Sequence, residues 1–131
     1  MSVACLLAGG AVIRLAAAFT LSWTHSVEKI EWQEDWKATP AGLVVVEARI
    51  EGSGAGMEPP DDAVLKDGHY VSHPHMKPLK EVVLRRSGAT ADWRVCMEGR
   101  CRPMGDLVPE GADPVVLTLC PPDAPSQTPK G

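Results

Sequence analysis

The sequence predicts an all-β protein, an antiparallel β-sandwich or open barrel of about seven to nine short strands. Three observations lead there. Apolar and polar residues alternate with a period of two across Phe19–Trp36, the pattern of strands with one buried face. Twelve glycines and twelve prolines divide the chain into short runs separated by turns. No stretch sustains the period of an amphipathic helix.

Composition sets the outer bounds. At 131 residues the chain is long enough for one domain, read here as residues 1–120 followed by a C-terminal tail at 121–131. With 44% hydrophobic and 23% charged residues it can build a core without help from a cofactor. The formal charge of −4 and the scattered basic residues argue against a nucleic-acid partner, because phosphate binding rests on clustered Lys and Arg.

The first element is an apolar run from Val3 to Ile13. Ala16–Ala17–Ala18 resembles a signal cleavage site, but no early Lys or Arg precedes the run and Arg14 interrupts it. The run is also too short to span a bilayer, so no transmembrane segment is expected. Two strands fit better, Val3–Leu7 and Ala11–Leu15, joined across glycines that can adopt the positive φ of a tight turn.

The next stretch, Phe19–Trp36, organises the rest. Phe19, Leu21, Trp23, His25 and Val27 share one face, and Ile30, Trp32, Glu34 and Trp36 form a second apolar face after a break. This is a hairpin with a polar tip. A loop of about four residues sets Val27 opposite Trp32, His25 opposite Glu34 and Trp23 opposite Trp36, while a two-residue loop sets His25 against Trp32.

Beyond the Ala38–Gly42 turn, Leu43–Ile50 reads as a strand with Val44, Val46, Ala48 and Ile50 inward and Glu47, Arg49 and Glu51 in water. GSGAG at Gly52–Gly56 tempts a phosphate-loop reading, but Met57, Glu58, Pro59, Pro60, Asp61 and Asp62 make a poor anion-binding helix start. A bulge or wide turn is the simpler interpretation. Asp61–Met76 is irregular, with a turn at Asp67–Gly68 and a short edge strand at His69–Ser72. Strands follow at Glu81–Arg86, Asp92–Met97 and Val115–Cys120. The segment 121–131 has no apolar anchor and is expected to be disordered. The expected core is Trp23, Trp32, Trp36, Trp93 and the aliphatic strand faces.

The run WTHSVEKIEWQEDW, followed by GSGAGMEPP at Gly52–Pro60, resembles the DUF1850 family of small uncharacterised proteins. The resemblance extends over roughly Cys5 to Cys120. It brings no established chemistry. It implies a link to TAXI-type TRAP transporters, beside which members are often encoded, and so a periplasmic or membrane-associated setting.

Several constellations remain to weigh. Cys96 and Cys101 bracket a hairpin tip at Glu98–Gly99, and pairing across it brings them within disulfide reach. Unbridged thiols and a metal are the alternatives, and Cys5 can pair with Cys120 if the first and last strands are neighbours. His69, His73 and His75 are solvated loop histidines on the simplest reading and weak metal-ligand candidates on the other. His25, on an apolar face with Glu34 opposite, suits a structural pair held in one tautomer or a ligand contact. Ser26 is on the face opposite His25 and no GxSxG elbow is present, so nucleophilic catalysis is not expected.

The function expected is that of a non-enzymatic accessory or binding module without a cofactor. Its partner would be a TRAP-type transporter membrane subunit or its solute-binding protein. Candidate contacts are His25, Ser26, Glu28, Glu34, Gly52, Gly54 and Gly56. The alternative is a metal-binding or metal-dependent protein using His25 and Glu34 with the His69, His73 and His75 region.

Overall fold

The computed structural model describes residues 2–24, 30–51, 63–86 and 92–121. Among these residues eleven strands form two antiparallel sheets that pack as an open sandwich, without closing into a barrel. The strands are β1 (Ala4–Ala8), β2 (Ala11–Arg14), β3 (Ala18–Thr24), β4 (Glu31–Thr39), β5 (Gly42–Glu51), β6 (Val64–Lys66), β7 (His69–Ser72), β8 (Glu81–Leu84), β9 (Arg94–Met97), β10 (Arg100–Pro103) and β11 (Val115–Leu119). The larger sheet runs β10-β9-β3-β4-β5-β7-β6, and the smaller runs β2-β1-β11-β8. Eleven strands exceed the seven to nine expected, partly because β6 lies in a stretch read as irregular.

The turns follow from residues that tolerate positive φ. Gly9 and Gly10, at 54° and 85°, join β1 to β2 as the glycine pair foretold. Asp67 and Gly68, at 52° and 81°, do the same between β6 and β7. Gly42 has a different reason. Its φ is 139°, and a Cβ there would lie 2.6 Å from the Leu79 carbonyl oxygen, where Leu43 and Leu79 exchange backbone hydrogen bonds of 2.8 and 2.9 Å.

The core lies between the two sheets. Leu6, Val115, Leu117 and Leu84 come from the small sheet, and Phe19, Leu21, Trp36, Leu43 and Val95 from the large one. Met104, Leu107, Val108 and Ala112, from a 3-10 turn at Met104–Asp106 and the chain after it, fill one end. Asp92 ties that segment down. It accepts from Arg86 Nε at 3.1 Å and Nη2 at 2.9 Å, and from the Gly105 backbone N–H at 2.7 Å.

All four cysteines are oxidised. Cys5–Cys120 joins the first strand to the end of the last, which are indeed neighbours in the small sheet. Cys96–Cys101 bridges directly opposed positions of β9 and β10.

Two expectations need correction. The inward set of β5 is not Val44, Val46, Ala48 and Ile50. A bulge against Asp35–Trp36 inserts one extra residue, so Val45 turns inward and Val46 is 48% exposed. The β3–β4 register also differs, for Trp23 lies opposite Trp32, Leu21 opposite Glu34 and Phe19 opposite Trp36. Glu34 is thus paired with Leu21 across the hairpin, and His25 lies outside the described residues. Among the tryptophans only Trp36 is fully buried; Trp23 and Trp93 flank the core and Trp32 is half-buried.

Candidate functional site

Alternation on β3 and β4 aims Leu21 and Trp23, with Trp32, Glu34 and Trp36, at the inner side of the large sheet. Trp23 and Trp32 stack across the strands, with centroids 6.0 Å apart and planes inclined by 19°. Trp93 tilts against Trp23 at 5.0 Å, and its indole Nε1 donates to the Arg85 carbonyl at 2.9 Å. Ile50 and then Tyr70 continue this row through β5 and β7. The result is a half-buried aromatic band at one end of the sandwich.

Two inward-facing indole donors have no partner among the described residues. Trp32 Nε1 and Trp36 Nε1 are both buried and donate to no acceptor among the described residues. A buried donor left unpaired costs about 1–3 kcal/mol, so such groups call for an explanation. Glu34 projects between them, with Leu21 on one side and Ala48 on the other. Burial raises its carboxyl above the ordinary 4.5, and the nearby Trp36 indole opposes that shift without completing a hydrogen bond.

The sign of the resulting pH dependence is definite. A carboxyl whose folded value is raised contributes stability that is full below 4.5 and lost as pH rises through the folded value. Glu34→Gln removes the penalty of holding the ionised form. Its Tm should lie slightly above wild type at pH 7, with the gap closing below pH 4.5; a gap that widens on acidification would contradict the burial.

The next residue in the chain titrates in the opposite sense because it points the other way. Asp35, on the outer face, is held below its ordinary 3.8, chiefly by hydrogen bonds from Arg49. Arg49 grips it bidentately, Nη1 to Oδ2 and Nη2 to Oδ1 at 2.8 Å each. Thr20 Oγ1 donates to Asp35 at 2.7 Å, Arg49 Nε donates to Gln33 at 2.9 Å, and Arg49 also pairs with Glu47. This lattice locks β3, β4 and β5 together. A shallow groove of about 470 Å³ lies beside it, floored by Thr20, Asp35 and Lys37 and walled by Glu98–Gly99 at the bridged β9–β10 turn. Placing Glu47 and Arg49 on the wet face was legible in the sequence; their partners on β4 required the register.

The other candidates divide. His25, Ser26, Glu28, Gly52, Gly54 and Gly56 lie outside the described residues. Their flanking positions are adjacent, however: Thr24 pairs with Glu31, whose N–H donates to Glu51 at 3.3 Å. These flanking residues lie next to the Trp23–Trp32 pair and Ile50. His69 Nδ1 is 3.3 Å from the Asp67 carbonyl, His73 Nε2 is 3.3 Å from Glu47, and His75 is exposed. Among the described residues no three His, Cys, Asp or Glu side chains converge as metal ligands do.

A family model described as a domain of unknown function, DUF1850, matches residues 19–104, well over half of the sequence. The chain belongs to the DUF1850 family. The match takes in β3 to β10, hence the large sheet with its aromatic band, and omits β1, β2 and β11. No curated protein and no solved structure matches this DUF1850 chain. No helix among the described residues is long and apolar enough to cross a membrane.

Proposed function

We propose that this DUF1850 protein is a non-enzymatic binding module of an oxidising compartment. Its partner is a TRAP-type (TAXI) transporter, through the membrane subunit or the solute-binding protein. The reading rests chiefly on one observation: the half-buried Trp23–Trp32 stack beside the half-buried Glu34 carboxyl. A partly exposed tryptophan supplies large, rigid contact area, which is why it is enriched at binding hot spots. The two disulfides support an oxidising setting, since cytosolic thiols are kept reduced. The transporter link is supported by the family resemblance alone.

The test is mild-detergent co-purification of tagged protein from its native membranes, comparing wild type with Trp32→Phe and Trp32→Ala. Recovery of a transporter subunit in near-equal amount, reduced by either substitution in a folded protein, is the expected result. A wild-type protein that recovers no transporter component would overturn the reading.

A further inference from the structure

The outer face of the small sheet carries an apolar row that is exposed on its two edge strands and half-buried on its two central ones. The registers place Leu7 opposite Val12 on one side and Val116 on the other, with Val83 beyond Val116. Val12, Leu7, Val116 and Val83 therefore line up across all four strands, and Val12 is 36% and Val83 53% exposed. These residues alternate with the core set of Leu6, Ile13, Leu117, Val82 and Leu84, so the row faces away from the core.

The next row along the strands is charged at its two ends. Cys5 lies opposite Arg14 and Thr118, and Thr118 lies opposite Glu81, so Arg14 sits on the β2 edge and Glu81 on the β8 edge. We propose that this face is a two-fold interface with a second copy of the chain. Two identical sheets face one another when the axis lies between them and in their plane. An axis parallel to the strands, midway between β1 and β11, reverses the strand order. It sets β2 against β8 of the partner subunit and β1 against β11. Val12 then meets Val83 of the partner subunit, Leu7 meets Val116 of the partner subunit, and Arg14 meets Glu81 of the partner subunit.

One operation thus satisfies both the apolar row and the charges, twice over, as an isologous contact must. A two-fold axis along the row would instead bring Glu81 to Arg85, but Arg85 is already engaged by Asp113 at 3.0 Å. The segment 122–131 is a poor alternative occupant, because it holds no large apolar side chain.

Strand spacing sets the strength. Four strands about 4.8 Å apart, each about five residues long, present roughly 300 Å² per copy. That is well below the roughly 800 Å² per partner of a tight complex, so the dimer is weak and concentration-dependent. The surface is distinct from the tryptophan band, and the inference does not depend on the proposed transporter partner.

Sedimentation velocity on the oxidised protein, taken up to about 1 mM to reach weak affinities, tests it. Wild type should show a monomer–dimer equilibrium. Val83→Glu, Arg14→Glu and Glu81→Arg should each weaken it at least tenfold, and the double exchange Arg14→Glu with Glu81→Arg should restore it. A wild type that stays monomeric throughout would overturn the inference, as would a dimer indifferent to the single substitutions or a double exchange that fails to rescue.

Discussion

Removing the Cys5–Cys120 bridge by substituting both residues with alanine should cost about 4–5 kcal/mol, whereas removing Cys96–Cys101 should cost about 2 kcal/mol. The difference comes from the unfolded chain. A bridge between residues 115 apart forbids most of the denatured ensemble, while one between residues five apart forbids far less. Loop-closure entropy scales with the logarithm of that separation and yields these two figures. For a chain of this size, 4–5 kcal/mol corresponds to a fall in Tm of about 12–20 °C. Position reinforces the ranking. Cys5 has no exposure and β1 holds β11, so the long bridge closes the sheet to which both ends of the described chain contribute. Cys101 lies exposed on an edge strand. Thermal melts of the two double variants under oxidising conditions measure the contrast, and equal losses would show that loop length is not what matters.

What was legible in the sequence depended on how far along the chain each cause lay. The Gly9–Gly10 and Asp67–Gly68 turns were readable because their chemistry is contained in two residues. Facing was readable wherever alternation ran unbroken, as in β3 and β4, where Trp32, Glu34 and Trp36 are inward and Gln33, Asp35 and Lys37 outward. It failed at Val46 because a bulge is decided by the partner strand. A stretch of three valines contains no mark of which one will be left over.

Register was the hardest quantity. Moving the pairing so that Trp23 meets Trp32 leaves every side chain on its expected face, so the alternation of Phe19–Trp36 fits either pairing. What changes is who meets whom, and that sets Leu21 opposite Glu34 and Trp23 in a stack on Trp32. The Arg49–Asp35 clamp was hidden for the same reason, since its halves lie 14 residues apart on strands whose offset only the fold supplies.

Trp36→Ala should be among the most damaging single substitutions, at about 3–5 kcal/mol, and Trp32→Ala should cost less than half as much. Both indoles belong to one strand and share an inward face, but their surroundings differ. Trp36 is 5% exposed among Phe19, Leu21 and Val45, so truncation opens a large cavity that those neighbours cannot fill. Trp32 keeps part of its surface in water and loses mainly its stack on Trp23. Trp36→Phe separates volume from polarity. It gives up part of the ring but also removes an indole N–H that has no partner among the described residues, a group whose burial is itself unfavourable. Its cost should therefore fall well below that of alanine, to about 1–2 kcal/mol. Denaturant unfolding of the three variants orders them Trp36→Ala, then Trp32→Ala and Trp36→Phe close together. A Trp36→Phe as damaging as alanine would mean that the indole N–H does find an acceptor, and Glu34 is the carboxyl placed to be that acceptor.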